Sequence, residues 1–483
     1  MRVSVDSNVV LSPKDSFESS VIASSSTIAA IATPLGRGGV GVIRLSGPKA
    51  YTMARQLTGK SSFTPRMASF CRFYQQDGTV IDEGLVLYFK APHSFTGEDV
   101  IELQGHGGMI LQNQLLARVF ELGAQQAQAG EFSYRAFDND KLDLLQAEAI
   151  ADAIDATSAA AASSAIRSLS GEFSQKINHL LEQLIHLRLH VEAAIDFPDE
   201  EDVDFLSDGV IQEKLEQTQA QIQTVLATAK QGQLLRDGIH VVLAGRPNAG
   251  KSSLLNRLAG QERAIVTEVA GTTRDTLQET VVLNGLTLHL TDTAGLRDTE
   301  DTVERIGIER ARKAITQADI LLLVYDVTRD LEEESTPLQL VEQLFGELPD
   351  AQRLLIIANK SDLLITNDIS AITKIQHNDS YYEQVNVSCE TGFGIEALIQ
   401  TLCDKVGFHP PENSLIARTR HIDALRRTAD YLAEAHEQLI VFQAGELVAE
   451  SLRQAQLSLG EITGEFSADD LLGKIFGSFC IGK

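Results

Sequence analysis

Gly245-Arg246-Pro247-Asn248-Ala249-Gly250-Lys251-Ser252 decides how the middle of this chain is read. A glycine-rich turn between a strand and a helix aims several backbone N–H groups at one point. The helix that opens at Lys251 adds its positive N-terminal end, so the point binds phosphate. Lys251 reaches toward β- and γ-phosphates, and the Ser252 hydroxyl suits Mg²⁺. The flanks agree. Val241-Val242-Leu243-Ala244 is an apolar strand run, and Ser253-Leu254-Leu255-Asn256-Arg257-Leu258 has helical spacing. Asn248, Ala249, Gly250 and Ser253 complete the candidate phosphate-binding set.

The base is read further along. Asn359-Lys360-Ser361-Asp362 follows the strand-like run Leu354-Leu355-Ile356-Ile357-Ala358. The Asp362 carboxylate can accept two hydrogen bonds from guanine, at N1–H and the exocyclic amine. Adenine has no such donor pair and would leave the site unpaired. Asn359 can brace neighbouring loops, and the Lys360 stem can lie along the base plane. Ser388 and Cys389 stand where a loop binding guanine O6 belongs, with the Cys389 N–H as donor. Between these motifs comes Asp292-Thr293-Ala294-Gly295. Asp292 can hold Mg²⁺ through water, and the Gly295 N–H can sense the γ-phosphate. Asn284-Gly285 is a two-residue hairpin turn that pairs Thr276–Leu283 with Thr287–Leu290. Thr273, in Gly271-Thr272-Thr273-Arg274-Asp275, is the threonine that caps Mg²⁺ and γ-phosphate. Residues 237–405 therefore read as a GTPase domain.

One departure has mechanistic content. Leu296 follows Gly295, where Ras-like enzymes place a water-orienting glutamine. Leucine cannot polarise water, so another group must, and another positive charge must offset the developing negative charge. An arginine supplied for that purpose is worth about 10³–10⁵ in rate. Asn248 could coordinate a monovalent cation near the phosphates, and carbonyls of Thr267-Glu268-Val269-Ala270-Gly271-Thr272 could wrap the same ion. Glu304 could orient the attacking water. Spacing alone favours plainer readings, with Asn248 as a turn residue and Glu304 as one of many solvated glutamates.

The chain has 483 residues, which suggests two to four domains. No apolar run reaches membrane-spanning length. Residues 1–26 are serine-rich and read as a disordered tail; Asp6, Asp15 and Glu18 argue against a transit peptide. Cys71, Cys389, Cys403 and Cys480 lack metal-ligand spacing and suit a reducing cytoplasm. The C-terminal Cys480-Ile481-Gly482-Lys483 fits a prenylation box badly. A net charge of −26 argues against general nucleic-acid binding. Residues 1–140 are nearly neutral, with 12 basic and 13 acidic side chains, so an RNA contact needs a local patch.

Residues 27–140 alternate short apolar runs with glycine turns, an α+β pattern. Gly36-Arg37-Gly38-Gly39-Val40-Gly41 matches the dinucleotide fingerprint, but the strand-like Val42-Ile43-Arg44-Leu45 follows it, where the fingerprint must open a helix. From 141 to 236 the pattern turns helical, with Leu142, Leu145, Ala149, Ala153 and Ile154 as one stripe. Asp199-Glu200-Glu201-Asp202 lacks calcium-loop spacing and reads as a solvated turn. Helical patterning returns over 406–483, with Leu425, Ala429, Leu432 and Ala433, then Leu447, Leu452 and Leu459. The economical fold is multidomain α+β and α/β: an N-terminal α+β domain and a helical domain interrupted by an inserted Ras-like P-loop GTPase domain.

Several segments carry a family resemblance: Thr33-Pro34-Leu35-Gly36-Arg37-Gly38-Gly39-Val40-Gly41, Ser94-Phe95-Thr96-Gly97-Glu98-Asp99, Glu102-Leu103-Gln104-Gly105-His106-Gly107-Gly108, Gly130-Glu131-Phe132-Ser133 and Asp140-Lys141-Leu142-Asp143-Leu144. Arg305-Ile306-Gly307-Ile308-Glu309 and the terminal Cys-Ile-Gly-Lys join them. Over nearly its whole length the chain resembles the MnmE (TrmE) family of tRNA-modification GTPases. The resemblance implies K⁺ in place of the arginine, held by Asn248, Thr267, Val269 and Thr272, with Glu304 orienting water. It implies that 27–140 bind 5-formyl- or methylene-tetrahydrofolate through Arg44, Glu102, Lys141 and Lys483 and form a homodimer. It implies a flavin-dependent partner protein carrying FAD, in a heterotetramer, and a (carboxymethyl)aminomethyl group added to C5 of the wobble uridine of certain tRNAs. The competing reading is a regulatory GTPase of ribosome assembly. Such proteins carry a KH module or a second GTPase domain, and the sequence shows neither.

Overall fold

The computed structural model describes residues 26–34, 36–196, 209–260, 278–292, 315–329, 336–364, 370–410, 414–465 and 469–482. The chain divides into two compact units, residues 1–151 with 463–483, and residues 152–462.

The first unit is built on a six-stranded sheet. Its strands are β1 (Ile28–Ile31), β2 (Gly38–Ser46), β3 (Ser69–Tyr74), β4 (Val80–Phe89), β5 (Val100–Gly107) and β6 (Gln125–Gln126), in the order β3-β4-β5-β2-β1-β6. All neighbours are antiparallel except β1 and β6. Alternation sorts the side chains. Ile43, Leu45, Ile101, Leu103 and Val86 pack with Met53, Leu57, Leu115 and Val119 from the helices Ala50–Thr58 and Met109–Glu121. Arg44 and Glu102, one residue out of phase, lie on the other face. The Gly36–Gly41 run opens β2 rather than a helix, as its sequence context required. The helix Asp469–Gly477 returns to this unit and packs Phe476 edge-on against Tyr134, with ring centroids 5.3 Å apart.

At the end of β5, His106 Nδ1 lies 2.7 Å from Asp82 Oδ1, and Asp82 Oδ2 accepts the His106 N–H at 2.8 Å. The hydrogen bond to Asp82, aided by that carboxylate's charge, raises the His106 pKa above its ordinary value. Burial opposes ionisation of Asp82, but its bonds from His106 and Glu83 hold the carboxyl below the usual range. A histidine pKa raised on folding stabilises fully below the unfolded value of 6.5. That contribution is lost as pH rises through the folded value. His106→Gln is therefore expected to lower the urea midpoint at about pH 6, with the gap to the parent closing toward about pH 9. A gap constant with pH would place the effect in packing alone.

The second unit holds a seven-stranded sheet. Its strands are β7 (Ile239–Ala244), β8 (Gln278–Leu283), β9 (Leu286–Asp292), β10 (Ile320–Asp326), β11 (Leu354–Asn359), β12 (Ile372–His377) and β13 (Ser380–Asn386), in the order β12-β13-β11-β10-β7-β9-β8. The five central strands are parallel, and β8 and β12 close the edges antiparallel. β10 and β11 are buried on both faces, which is why they read as unbroken apolar runs rather than alternating ones. One core takes Val241, Leu243, Leu322, Val324 and Ile357; the other takes Val242, Leu321, Leu323 and Ile356. The β8–β9 turn has Asn284 and Gly285 both at positive φ, 51° and 86°, the type I′ geometry expected of Asn-Gly.

Helices from both sides of this sheet pack together. Along the contact of Val210–Asp237 with Thr419–Glu437, Gln219 Nε2 donates to Leu432 O at 2.9 Å and Gln233 Nε2 to Thr419 Oγ1 at 2.9 Å. Gln231 bridges the strand-sheet exit: Nε2 donates to Gly407 O at 2.6 Å, and Oε1 accepts from His409 N at 2.8 Å. Three stripe assignments need correction. Ala433 is exposed, because the buried stripe runs Ile422, Leu425, Thr428, Leu432, Ala435, one helical step aside. Leu447 and Ile154 are also exposed, at 53% and 55%.

Candidate functional site

The phosphate loop joins β7 to the helix Lys251–Ala259. Its backbone turns through Asn248 and Gly250, at φ 67° and 97°. Gly250 is required twice over: besides the positive φ, a Cβ there would meet Asn359 Nδ2 at 2.1 Å. That close approach is used. Asn359, 2% exposed, donates from Nδ2 to Ala249 O at 3.0 Å and accepts at Oδ1 from the Cys389 N–H at 3.4 Å. One amide thus ties the phosphate loop to the 388–390 loop, the bracing expected of Asn359.

Pro247, Asn248, Gly250, Lys251, Ser252, Ser253, Asn359, Lys360, Asp362, Leu363, Cys389 and Glu390 line one cavity of about 650 Å³. The volume suits a nucleotide, within the range of small-molecule sites. Two ends of the cavity differ chemically. Backbone amides, Lys251 and the helix N-terminus make one end positive. Asp362, exposed on the short helix Ser361–Leu363, makes the other end an acceptor. Lys251 is 7% exposed, and its Nζ donates to Gly245 O at 2.8 Å and Arg246 O at 3.1 Å, so the loop itself positions the ammonium. Ser388 is fully buried, and its Oγ accepts from Thr391 N at 3.1 Å, which shapes the loop behind Cys389.

Sequence reasoning missed Asp326. It ends β10, and its Oδ2 lies 2.5 Å from Lys360 Nζ. Burial opposes its ionisation, but the bonds from Lys360 and Thr328 hold its carboxyl below the ordinary range. The pair fixes the Lys360 stem at the base end of the cavity. The only hint was a carboxylate closing an apolar run. Asp292 ends β9, beside Leu243 on β7. Thr267, Val269, Thr272, Thr273, Gly295 and Glu304 lie outside the described residues.

A second cluster sits on the opposite face of the first unit's sheet, beside a small core of Ile28, Ala30, Ala127 and Phe132. Arg44 and Glu102 are cross-strand partners, and Arg44 Nη2 and Nε lie 3.0 and 3.2 Å from Glu102 Oε1. The guanidinium carbon stands 5.7 Å from the Phe95 ring centroid and 5.8 Å from that of Phe132. Among the described residues no hydrogen bond reaches Glu102 Oε2, so it can still accept from a flat donor edge. Arg135, 3% exposed, fastens the aromatic walls by binding both oxygens of Glu98 at 3.1 Å and Glu131 Oε1 at 2.8 Å. Lys141 is exposed beside Gly97, whose added Cβ would stand 3.5 Å from Lys141 Cδ. Gly482 lies against Ile31 O, and Lys483 lies outside the described residues. Arg44, Glu102 and Lys141 therefore share one region of this unit, with Phe95 and Phe132 as aromatic walls that their motifs alone did not single out.

Comparison with known proteins divides the chain near residue 142, and its second part includes residues 144–151 and 463–480 of the first unit. Residues 27–141 match the family model "GTP-binding protein TrmE N-terminus", and residues 144–480 match "MnmE helical domain". The chain is 85% identical over 478 residues to the tRNA modification GTPase MnmE of Psychrobacter arcticus, covering 98% of this chain and 100% of that one. It is 62% identical to the protein of that name from Acinetobacter baumannii strain AYE, over 95% of this chain and 99% of that one. It is 54% identical to the one from Stutzerimonas stutzeri, over the same shares.

Proposed function

This chain belongs to the MnmE (TrmE) family, and on that premise we propose that it is a K⁺-activated GTPase of tRNA modification. With a flavoprotein partner carrying FAD, it adds a (carboxymethyl)aminomethyl group to C5 of the wobble uridine of certain tRNAs, using a tetrahydrofolate one-carbon unit. The observation that carries this reading is full-length identity to relatives named tRNA modification GTPase, joined to a cavity with phosphate- and base-recognising ends.

The residues divide the work by their chemistry. Asn248, Ala249, Gly250, Lys251, Ser252 and Ser253 hold the triphosphate, with Thr267, Thr273, Asp292 and Gly295 around the γ-phosphate. Asn359, Lys360, Asp362, Ser388 and Cys389 hold guanine. Ser252 and Thr273 are the Mg²⁺ ligands. Asn248, Thr267, Val269 and Thr272 are the K⁺ set, and Glu304 orients the attacking water. The positive φ of Asn248 and its place on the cavity wall fit a ligand aimed at the phosphates. When bound, the two cations supply positive charge against the charge that builds on the phosphoryl oxygens. In the first unit, Glu102 accepts from the pterin amide and amine edge, while Arg44, Lys141 and Lys483 face the one-carbon unit and the glutamyl tail. We assign the domains as 1–26 tail, 27–140 folate-binding and dimerisation, 141–236 helical, 237–405 GTPase and 406–483 helical, in a cytoplasmic homodimer that pairs with its partner as a heterotetramer. Among the described residues no helix is long and apolar enough to cross a membrane.

Two measurements test the proposal. The full chain with its flavoprotein partner is expected to modify tRNA only when GTP and a tetrahydrofolate are both supplied. Titrating 5-formyltetrahydrofolate into the full chain is expected to give saturable binding. Glu102→Gln should weaken it by about 10- to 100-fold, because a charged acceptor is lost and Arg44 is left uncompensated. Undiminished folate affinity in that variant would move the folate site elsewhere. GTP turnover without any folate binding would favour a regulatory GTPase.

A further inference from the structure

β9 runs from Asp292, at the nucleotide end of the sheet, to residues stitched to the helices outside it. At that far end Thr287 Oγ1 lies 2.8 Å from Thr157 Oγ1, and Ser158 Oγ donates to the Gly285 carbonyl at 3.4 Å. Ser158 is also the N-cap of the helix Ala159–Leu169, accepting from Ala161 N at 3.1 Å. Hence the β8–β9 turn seats on a helix start. Two residues further along β9, His289 Nε2 lies 3.2 Å from Asp237 O, and its ring stacks on His240 at 5.1 Å. Gly238 presses so closely on β9 that a Cβ there would meet Thr287 O at 2.4 Å.

A single carboxylate secures the same region. Asp152 is 6% exposed. It accepts from Arg236 Nε at 2.8 Å, on the chain entering the sheet. It also accepts from Arg418 Nη2 at 2.7 Å and Nε at 3.3 Å, on the chain leaving it. One buried anion therefore pins both covalent strands of the insertion. Nothing in nucleotide binding requires this. Asp152, Thr157 and Thr287 are absent from the lining of the nucleotide cavity.

We infer that β9 is a transmission strand: a shift at Asp292 on loss of the γ-phosphate moves Thr287 and His289, and with them Thr157 and the Asp152–Arg236–Arg418 pin, so that the helical segments register the nucleotide state. A strand paired on both sides moves as a unit, and a packed element passes a small displacement along its length rather than absorbing it. Asp152, Thr157 and Thr287 are positioning residues in this scheme, and none touches the reacting atoms. The inference rests on the GTPase reading above.

The test uses the full chain, its Asp152→Asn and Thr287→Val variants, GDP and a non-hydrolysable GTP analogue. Hydrogen exchange of residues 157–165 and 231–238 is expected to differ between the two nucleotides in the parent. Each variant should erase most of that difference while nucleotide affinity and GTP turnover stay within about twofold, and tRNA modification per GTP hydrolysed should fall by about tenfold. Thr287→Val removes one hydroxyl without changing shape, so it decides the matter even if Asp152→Asn folds poorly. Exchange differences that persist undiminished in a folded variant, or that are absent from the nucleotide-bound parent, overturn the inference. Failure of the parent to bind either nucleotide overturns the GTPase reading first, and the affinity measurement reports that separately.

Discussion

GTP turnover in potassium is expected to exceed turnover in sodium, at equal ionic strength, by on the order of a hundredfold or more. The size follows from what is missing. Leu296 offers no hydrogen bond to water. A guanidinium placed against the transferring phosphoryl group is worth about 10³–10⁵ in rate, or roughly 4–7 kcal/mol, and a cation that replaces it must supply a comparable share. Asn248 stands on the cavity wall with φ 67°, a conformation that asparagine tolerates better than most residues. A cage of side-chain and backbone carbonyl oxygens distinguishes alkali ions by size and by the number of oxygens it offers, so sodium should substitute poorly. Asn248→Ala should bring the two rates together by lowering the potassium rate. Steady-state phosphate release in matched chloride buffers is the measurement. Equal turnover in both salts would leave Asn248 as a turn residue and return the question of charge compensation to a protein side chain.

Asp362→Asn should weaken GTP binding by about 3–5 kcal/mol, roughly 10²–10⁴ in affinity, and admit xanthosine triphosphate in its place. Guanine offers two donors in a row, and a carboxylate accepts both. An amide carries one donor and one acceptor, which meets xanthine's N1–H and C2 carbonyl instead. The energy is large because the penalty is asymmetric: a donor of the base left unpaired costs more than the bond itself gained. Asp362 is exposed on the cavity wall, in the middle of a one-turn helix, so the substitution leaves the fold alone. Fluorescent-nucleotide titration with both bases checks the outcome. An unchanged preference for guanine would transfer base recognition to the 388–390 loop.

The parts of this molecule that could be read in advance share one property, that local chemistry and tertiary environment demand the same residues. The apolar runs at β7, β10 and β11 are doubly buried strands, and no amphipathic alternative suits them. Asn284-Gly285 can form a tight hairpin whatever surrounds it. The Gly36–Gly41 run was correctly separated from a helix-opening fingerprint because the next four residues read as strand. Helix faces were less legible. Ala433 and Leu432 are adjacent and both apolar, and only the partner helix decides that Leu432 faces inward and Ala433 outward. Asp326 was invisible for a similar reason. Its role depends on a lysine 34 positions away, and neither residue's neighbours in the chain announce the pairing. The walls around Arg44 lay within segments already noticed, yet Phe95 and Phe132 could be joined to it only by strand register and the Arg135 network.

Gln231 holds the way into the nucleotide-binding sheet against the way out, and the helix it belongs to is completed by residues beyond 418. The order of synthesis is then at odds with the order of assembly. When residue 237 leaves the ribosome, the helix Val210–Asp237 can pack on Glu172–Asp196 but not yet on Thr419–Glu437, whose Leu432 comes some 200 residues later. At about 5–20 residues per second the wait is roughly 10–40 s. During that interval the half-built bundle exposes an apolar seam to solvent. Production of this protein should therefore lean on holding chaperones, and a translation stall in the inserted domain should be costlier to yield than one near either terminus.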